Sequence, residues 1–266
     1  MQNRILKQIK RAQKQGGKLF CAFVTLGYPS LPFTEKLIEK IARAGADMIE
    51  LGFPFSDPLA DGPTIQFSSE AALRRGVQFK DAFALVKRLR RKGCEIPIIF
   101  FGYLNPIYHY GIERFSAKVK EAGFDGLIVP DLLPEEEKPL SRACRLQGLY
   151  QIYLVAPTTE TKRVRLIARK SQGFVYYVSL RGVTGARKAL ADDIRKNLSR
   201  IRPLIKKPIL IGFGISSPEH AKALGALSDG IIVGSAIVEK IRKSGGRAEP
   251  VAGFVKQMAR ALKGKV

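Results

Sequence analysis

The segment "ELGFPFSDPLADGPTIQ" (Glu50–Gln66) sets three carboxylates, Glu50, Asp57 and Asp61, around an apolar, proline-bearing stretch. Glu50 lies near the end of a short apolar run, where it shares parity with Met48 and Gly52 while Ile49 and Leu51 point the other way. If its face is a sealed interior, desolvation raises its pKa and leaves a carboxylic acid able to donate a proton near neutral pH. A glutamate paired with a Lys or Arg at a strand end fits the position equally well. Asp57 and Asp61 begin Asp-Pro and Asp-Gly dipeptides, which are ordinary turn formers. Phe53, Phe55 and Leu59 are too apolar for a solvated connection and point to a loop that packs over a ligand or against a partner.

Two glycine-containing segments suit an anion. "GFG" (212–214) closes one apolar run, and "GS" (234–235) closes the next, immediately before the helical "AIVEKIRK". Glycine lets a ligand approach the backbone, and the first N–H groups of a helix bind phosphate through aimed donors and the helix dipole. A further Gly-bearing stretch, "SLRGVTGARK" (179–188), has the length and composition of a mobile lid or of a plain surface loop.

These residues need a scaffold, and the chain supplies a repeating one. Eight short apolar runs, "LFCAFVTLG" (19–27), "ADMIELG" (46–52), "IPIIFF" (96–101), "GLIVP" (126–130), "IYLVAP" (152–157), "FVYYVS" (174–179), "PILIGFG" (208–214) and "GIIVGS" (230–235), alternate with longer amphipathic segments. Continuous apolar strands imply burial on both faces, and eight of them with interleaved helices predict a closed parallel (β/α)8 TIM barrel. An open doubly wound sheet is the alternative, because closure is not a local property. No linker or change of composition divides the chain, so 1–266 reads as one domain that begins with a short amphipathic helix. In a barrel, the ends of the strands and the loops that follow them form the active site, which is where Glu50, Asp61 and both glycine segments fall.

Composition narrows the classes further. The 46 Lys and Arg against 23 Asp and Glu give a formal charge of +23, which draws in anions and favours nonspecific contact with nucleic acid. The basic residues are spread along the chain, and no zinc finger, RNA-binding aromatic signature or basic region with heptads accompanies them, so no specific nucleic-acid partner is expected. Cys21, Cys94 and Cys144 are scattered and odd in number, and only two histidines are present, which argues against disulfides and against a metal site. No apolar run approaches a membrane span, and "MQNRILKQIKRAQKQGGK" lacks the apolar core of a secretory signal, so the expected location is cytoplasmic.

Taken together, "ELGFPFSDPLADGPTIQ", "YLNPIYHYG", "LIVPDLLPEE", "LVAPTT", "GVTGAR", "GFGISSPEHA" and "IIVGSAIV" resemble the tryptophan synthase alpha chain family, in that family's order and over nearly the whole sequence. The resemblance implies a lyase that splits indole-3-glycerol phosphate into indole and glyceraldehyde 3-phosphate. It implies no cofactor in this chain, and a partner beta chain carrying pyridoxal phosphate in an assembly of two alpha and two beta chains. It makes Glu50 the acid–base residue and Asp61 the carboxylate that stabilises positive charge on the indole nitrogen. It places phosphate at Gly185, Gly214, Gly234 and Ser235, and the indole ring among Phe23, Tyr103, Leu154, Tyr176 and Phe213. It puts Thr184 on the lid that approaches Asp61, and Asp57, Asn105 and Asp131 near the beta chain. Arg181 departs from the small residue or Thr usual in that family. A non-catalytic activator of a beta chain is the alternative, against which both carboxylates stand intact.

Overall fold

The structure is a computed structural model that describes residues 2–178, 187–212 and 214–264, with the side chains of the helix Arg187–Ile201 described from Asp192 onward. Nine strands form one sheet: β1 (Leu19–Thr25), β2 (Met48–Gly52), β3 (Ile98–Phe101), β4 (Gly126–Ile128), β5 (Tyr150–Ile152), β6 (Leu154–Val155), β7 (Val175–Val178), β8 (Ile209–Gly212) and β9 (Gly230–Val233). Each of the eight apolar runs contributes one strand except "IYLVAP", whose strand begins two residues early and is divided at Tyr153. Every strand pair is parallel, and the sheet order is β5-β4-β3-β2-β1-β9-β8-β7-β6.

The two ends of that order are halves of one stretch of chain, so the sheet closes on itself. β5 pairs with β4, and β6 pairs with β7. Between them the Tyr153 N–H donates to the Ser171 hydroxyl at 3.1 Å, while its carbonyl accepts from the Tyr176 N–H, also at 3.1 Å. The chain thus changes partner at this residue, and an eight-stave (β/α)8 TIM barrel results rather than an open doubly wound sheet.

Register decides which side chains share the interior. Phe23 pairs with Glu50 and Glu50 with Ile99, while Leu154 pairs with Tyr176 and Tyr176 with Leu210. Paired residues of parallel strands face the same side, so one set turns inward. The missing Cβ atoms agree: a Cβ on Gly52 would lie 2.4 Å from the Phe23 ring, and one on Gly212 would lie 2.3 Å from the Tyr176 hydroxyl oxygen. Both glycines therefore give inward room to an aromatic ring.

Helices cover the outside with apolar stripes at helical spacing. Leu31–Arg43 starts at Ser30, whose hydroxyl accepts the Phe33 N–H, and it buries Phe33, Leu37, Ile38 and Ile41. The first helix, Arg4–Lys14, starts at Asn3 and buries Ile5, Ile9 and Ala12 across the N-terminal end of the barrel. Each such aliphatic side chain contributes about 1.5–3 kcal/mol on full burial.

Three aspartates pin that same end by one repeated device. Asp47, Asp125 and Asp229 lie immediately before β2, β4 and β9. Each donates its N–H to the carbonyl of a residue at the start of a neighbouring strand, Phe20, Ile98 or Ile209, and accepts that residue's N–H with its carboxylate. The remaining carboxylate capacity is taken by Lys263 and the Gln8 amide on Asp47, by Arg4 and Arg90 on Asp125, and by Arg202 on Asp229.

Candidate active site

β2 carries Glu50 inward and ends two residues later, so the carboxyl sits at depth near the C-terminal mouth of the barrel. Glu50 is 1% exposed, has no ion pair among the described residues, and its Oε1 finds no hydrogen-bond partner there. Of the two readings open to the sequence, the desolvated acid is therefore the one that folding produces. Burial, and secondarily the nearby charge of Asp61, push its pKa up to about 8.

Asp61 stands on the loop after β2 and is half-buried. Desolvation raises its pKa to about 6, opposed by a hydrogen bond from Tyr103. The Tyr103 hydroxyl donates to Asp61 Oδ2 at 3.0 Å and accepts the Ala60 N–H at 3.1 Å. Burial and the adjacent carboxylate raise the phenol, so it remains a donor. Two further contacts order the loop: the Gln66 amide donates to the Asp61 carbonyl at 2.8 Å, and the Ser69 hydroxyl both accepts from and donates to the Phe55 backbone. Burial thus holds the proton on Glu50 to a higher pH than on Asp61, whose ionised form Tyr103 favours. Such a separation distinguishes an acid from a charge stabiliser within one site.

The inward aromatic set lines the same mouth. Phe23, Tyr103 and Tyr176 are buried, and Leu154 is half-buried beside Tyr176 in the register. Gly234 lies against Phe23, its absent Cβ 3.4 Å from that of Phe23, which brings the end of β9 beside the aromatic set. Gly234 is also the N-cap of the helix Ser235–Lys243 and offers no side chain to its first turn. Gly214 has φ 72°, a left-handed backbone that suits glycine and turns the chain sharply after β8. Thr184, Gly185, Phe213 and Arg181 lie outside the described residues.

Phe53 and Phe55, expected to pack over a ligand or against a partner, find aromatic neighbours within the chain itself. Phe53 stacks on Phe79 at 4.1 Å between ring centres and also on Phe100, and Phe55 stacks on Tyr103 at 5.1 Å. Only Leu59 of that trio faces solvent, at 94% exposure. Asp57, Asn105 and Asp131 are exposed in the segments after β2, β3 and β4, three adjacent staves, so the barrel brings them to one rim. Exposed Tyr108 and Leu133 share these segments. Both Asp131 carboxylate oxygens accept the Leu104 N–H, at 3.0 and 3.1 Å, which ties the β4 loop to the helix carrying Asn105. That anchoring role, like the grip of Tyr103 on the Asp61 loop, depends on side chains far apart in sequence and leaves no local signal.

Among the described residues no group of three or more His, Cys, Asp or Glu side chains could hold a metal ion, and no helix is long and apolar enough to cross a membrane.

Known proteins share this arrangement along its full length. The sequence model of the tryptophan synthase alpha chain matches residues 9–266. Tryptophan synthase alpha chains of Geobacter sp. strain M21 and Thermoanaerobacter sp. strain X514 are 45% and 44% identical, covering 98% of this chain and 98% and 100% of theirs. The crystal structure of tryptophan synthase subunit alpha from Legionella pneumophila str. Paris superposes with a TM-score of 0.92 at 34% identity, covering 98% of this chain and 99% of that one. A chain of Mycobacterium tuberculosis tryptophan synthase gives 0.89 at 31%, with 99% of each covered. A closed barrel with this match from one end to the other belongs to the tryptophan synthase alpha chain family.

Proposed function

We propose that this chain, as one barrel domain, cleaves indole-3-glycerol phosphate to indole and glyceraldehyde 3-phosphate. Glu50 carries the reading: a fully buried carboxyl without an ion pair is a neutral acid at pH 7. The reaction needs a proton on the ring carbon that bears the glycerol side chain. Glu50 delivers it, and the positive charge that develops on the indole nitrogen is met by ionised Asp61. The Glu50 carboxylate then takes the proton of the neighbouring side-chain hydroxyl, the carbon–carbon bond breaks, and its electrons return to the ring. Indole and an aldehyde leave, and Glu50 is protonated again, so the chain needs no cofactor for this step.

Phe23, Tyr103, Leu154, Tyr176 and Phe213 form the indole wall in this reading, while Gly185, Gly214, Gly234 and Ser235 hold the phosphate with backbone N–H groups. Thr184 belongs to the closing segment. Leu59 and Tyr108, with Asp57, Asn105 and Asp131, form the face for a pyridoxal-phosphate-bearing beta chain in a cytoplasmic assembly of two alpha and two beta chains. The test is indole release from indole-3-glycerol phosphate by the purified chain, with and without a cognate beta chain. Slow release alone and at least roughly a fivefold rise with the beta chain is expected; no release in either case leaves only an activator of the beta chain.

A further inference from the structure

The first helix presents two opposite faces, and the reaction uses neither. At 3.6 residues per turn, Lys7, Lys10, Arg11 and Lys14 fall within an arc of about 100°. Ile5, Ile9 and Ala12 occupy the opposite side and are buried against the barrel. The four cations are exposed, and Lys10, Arg11 and Lys14 have no ion pair among the described residues. Carboxylates at this end leave most of them unneutralised: Asp47, Asp125 and Asp229 are occupied in pinning strands and in pairs with other cations, and Glu95, which pairs with Arg4, feels only Lys7 of the four.

A groove with basic residues lies at the same end of the barrel. Four residues after Lys14, Lys18 enters an open depression of about 440 Å³ that Arg195 and Arg202 also line. Lys18 donates to the Ser228 carbonyl, Arg195 meets Asp192 at 3.3 Å, and Arg202 pairs with Asp229, so the groove is polar and ordered, with both arginines half or more exposed. We infer that the outer face of the helix Arg4–Lys14, together with this groove, is a docking surface for the phosphate backbone of double-stranded nucleic acid, without regard to base sequence.

Three observations select this occupant. The cations span roughly 10 Å along the helix, a row rather than a cage, which matches a line of phosphates better than one small anion. A bilayer is disfavoured, because an interfacial helix inserts its apolar face, and here that face is sealed under the barrel. Single strands are disfavoured because they bind by stacking bases on exposed aromatic rings. Among the described residues the exposed aromatics, Phe67 and Tyr108, belong to the opposite end: Phe67 packs on Tyr28, just beyond the end of β1, and Tyr108 follows β3. Docking on the N-terminal face also leaves the mouth of the barrel free.

The test is fluorescence anisotropy of a labelled duplex of about 20 base pairs and arbitrary sequence with the full chain, between about 50 and 200 mM KCl. Four phosphate contacts give a slope of log affinity against log salt of about −3.6, hence a loss of about 10²-fold over that range. K10Q/R11Q should reduce the slope by about 1.8, and K7Q/K10Q/R11Q/K14Q by about 3.6, since each lost phosphate contact is worth about 0.9. A control that removes the same charge elsewhere, K80Q/K162Q/K222Q/K256Q, should change affinity by less than about threefold. Unchanged indole release and melting temperature in the helix variants verify folding. Equal losses in control and helix variants would reduce the surface to a diffuse field and overturn the inference, as would binding of the wild type to phosphatidylserine vesicles but not to duplex.

Discussion

Tyr103, just beyond the end of β3, grips Asp61 on the loop after β2: its hydroxyl donates to the Asp61 carboxylate and accepts the N–H of Ala60 next to it. One phenol therefore sets both the position of the loop and the charge of its carboxylate, because a hydrogen bond to the ionised form lowers a pKa that burial has raised. Phe55 stacks on the same ring, so the apolar part of the loop and its charged part are fastened to one side chain.

Tyr103→Phe removes the donor and keeps the ring. The Asp61 pKa should rise above about 6, and kcat at pH 7 should fall by about 10–150-fold, the worth of one hydrogen bond to a charged group. The deficit relative to wild type should shrink as the pH is raised from 7 toward 8, where Asp61 ionises in both proteins. A variant whose loss is the same at every pH would show that Tyr103 acts only by packing.

Glu50→Gln keeps volume and polarity but removes the proton. Indole release should drop by about 10²–10⁴-fold, while the protein folds. Stability gives an independent reading. The folded pKa of about 8 lies above the ordinary value of 4.5, so wild-type stability is whole below pH 4.5, declines as pH rises toward 8, and levels off above it. An amide at this position does not titrate, so the advantage of Glu50→Gln in urea titrations should grow across that window by at most about 1.4 kcal/mol per pH unit. A gap independent of pH would show that Glu50 does not titrate as a buried acid.

The pair predicts a bell-shaped kcat/KM for the full complex, rising near pH 6 as Asp61 ionises and falling near pH 8 as Glu50 loses its proton. Asp61→Asn should abolish the rising limb and move the falling one to lower pH, because the Asp61 charge helps hold the Glu50 proton. Its kcat should fall more than that of Asp57→Asn, whose carboxylate is exposed and meets only Ser56 among the described residues. The reverse order of damage would exchange the two aspartates.

Leu59→Lys changes a side chain that touches solvent on nearly every side, so folding stability should move by less than about 0.5 kcal/mol. Affinity for the beta chain should weaken by roughly fivefold or more, and activation by the beta chain should shrink with it. Calorimetric titration separates the two quantities, and an unchanged affinity would place the partner elsewhere on the rim.

The eight staves were legible in the sequence because strands buried on both faces must be continuously apolar, and that property is written in consecutive residues. Glu50 and the glycines of "GFG" and "GS" were placed at strand ends for the same reason, and the family followed from motifs in fixed order. Tertiary structure decided what consecutive residues cannot. The fifth run breaks at Tyr153 because Ser171 takes its N–H and the chain changes neighbours there. Glu50 could have met a Lys or Arg, and it is a neutral acid only because β1, β3 and β7 bring Phe23, Ile99 and Tyr176 to the same interior, with no cation among them. Phe53 and Phe55 pointed to a ligand or a partner as their cover, and Phe79, Phe100 and Tyr103 supply neighbours from within the chain. A net charge of +23 spread along the chain likewise became an oriented stripe only when the first helix turned its apolar side to the barrel. Periodicity and burial class are local and survive in a one-dimensional string, whereas a pKa, a covered ring or a charged face depends on which distant atoms arrive beside it, and that is set by how the staves close.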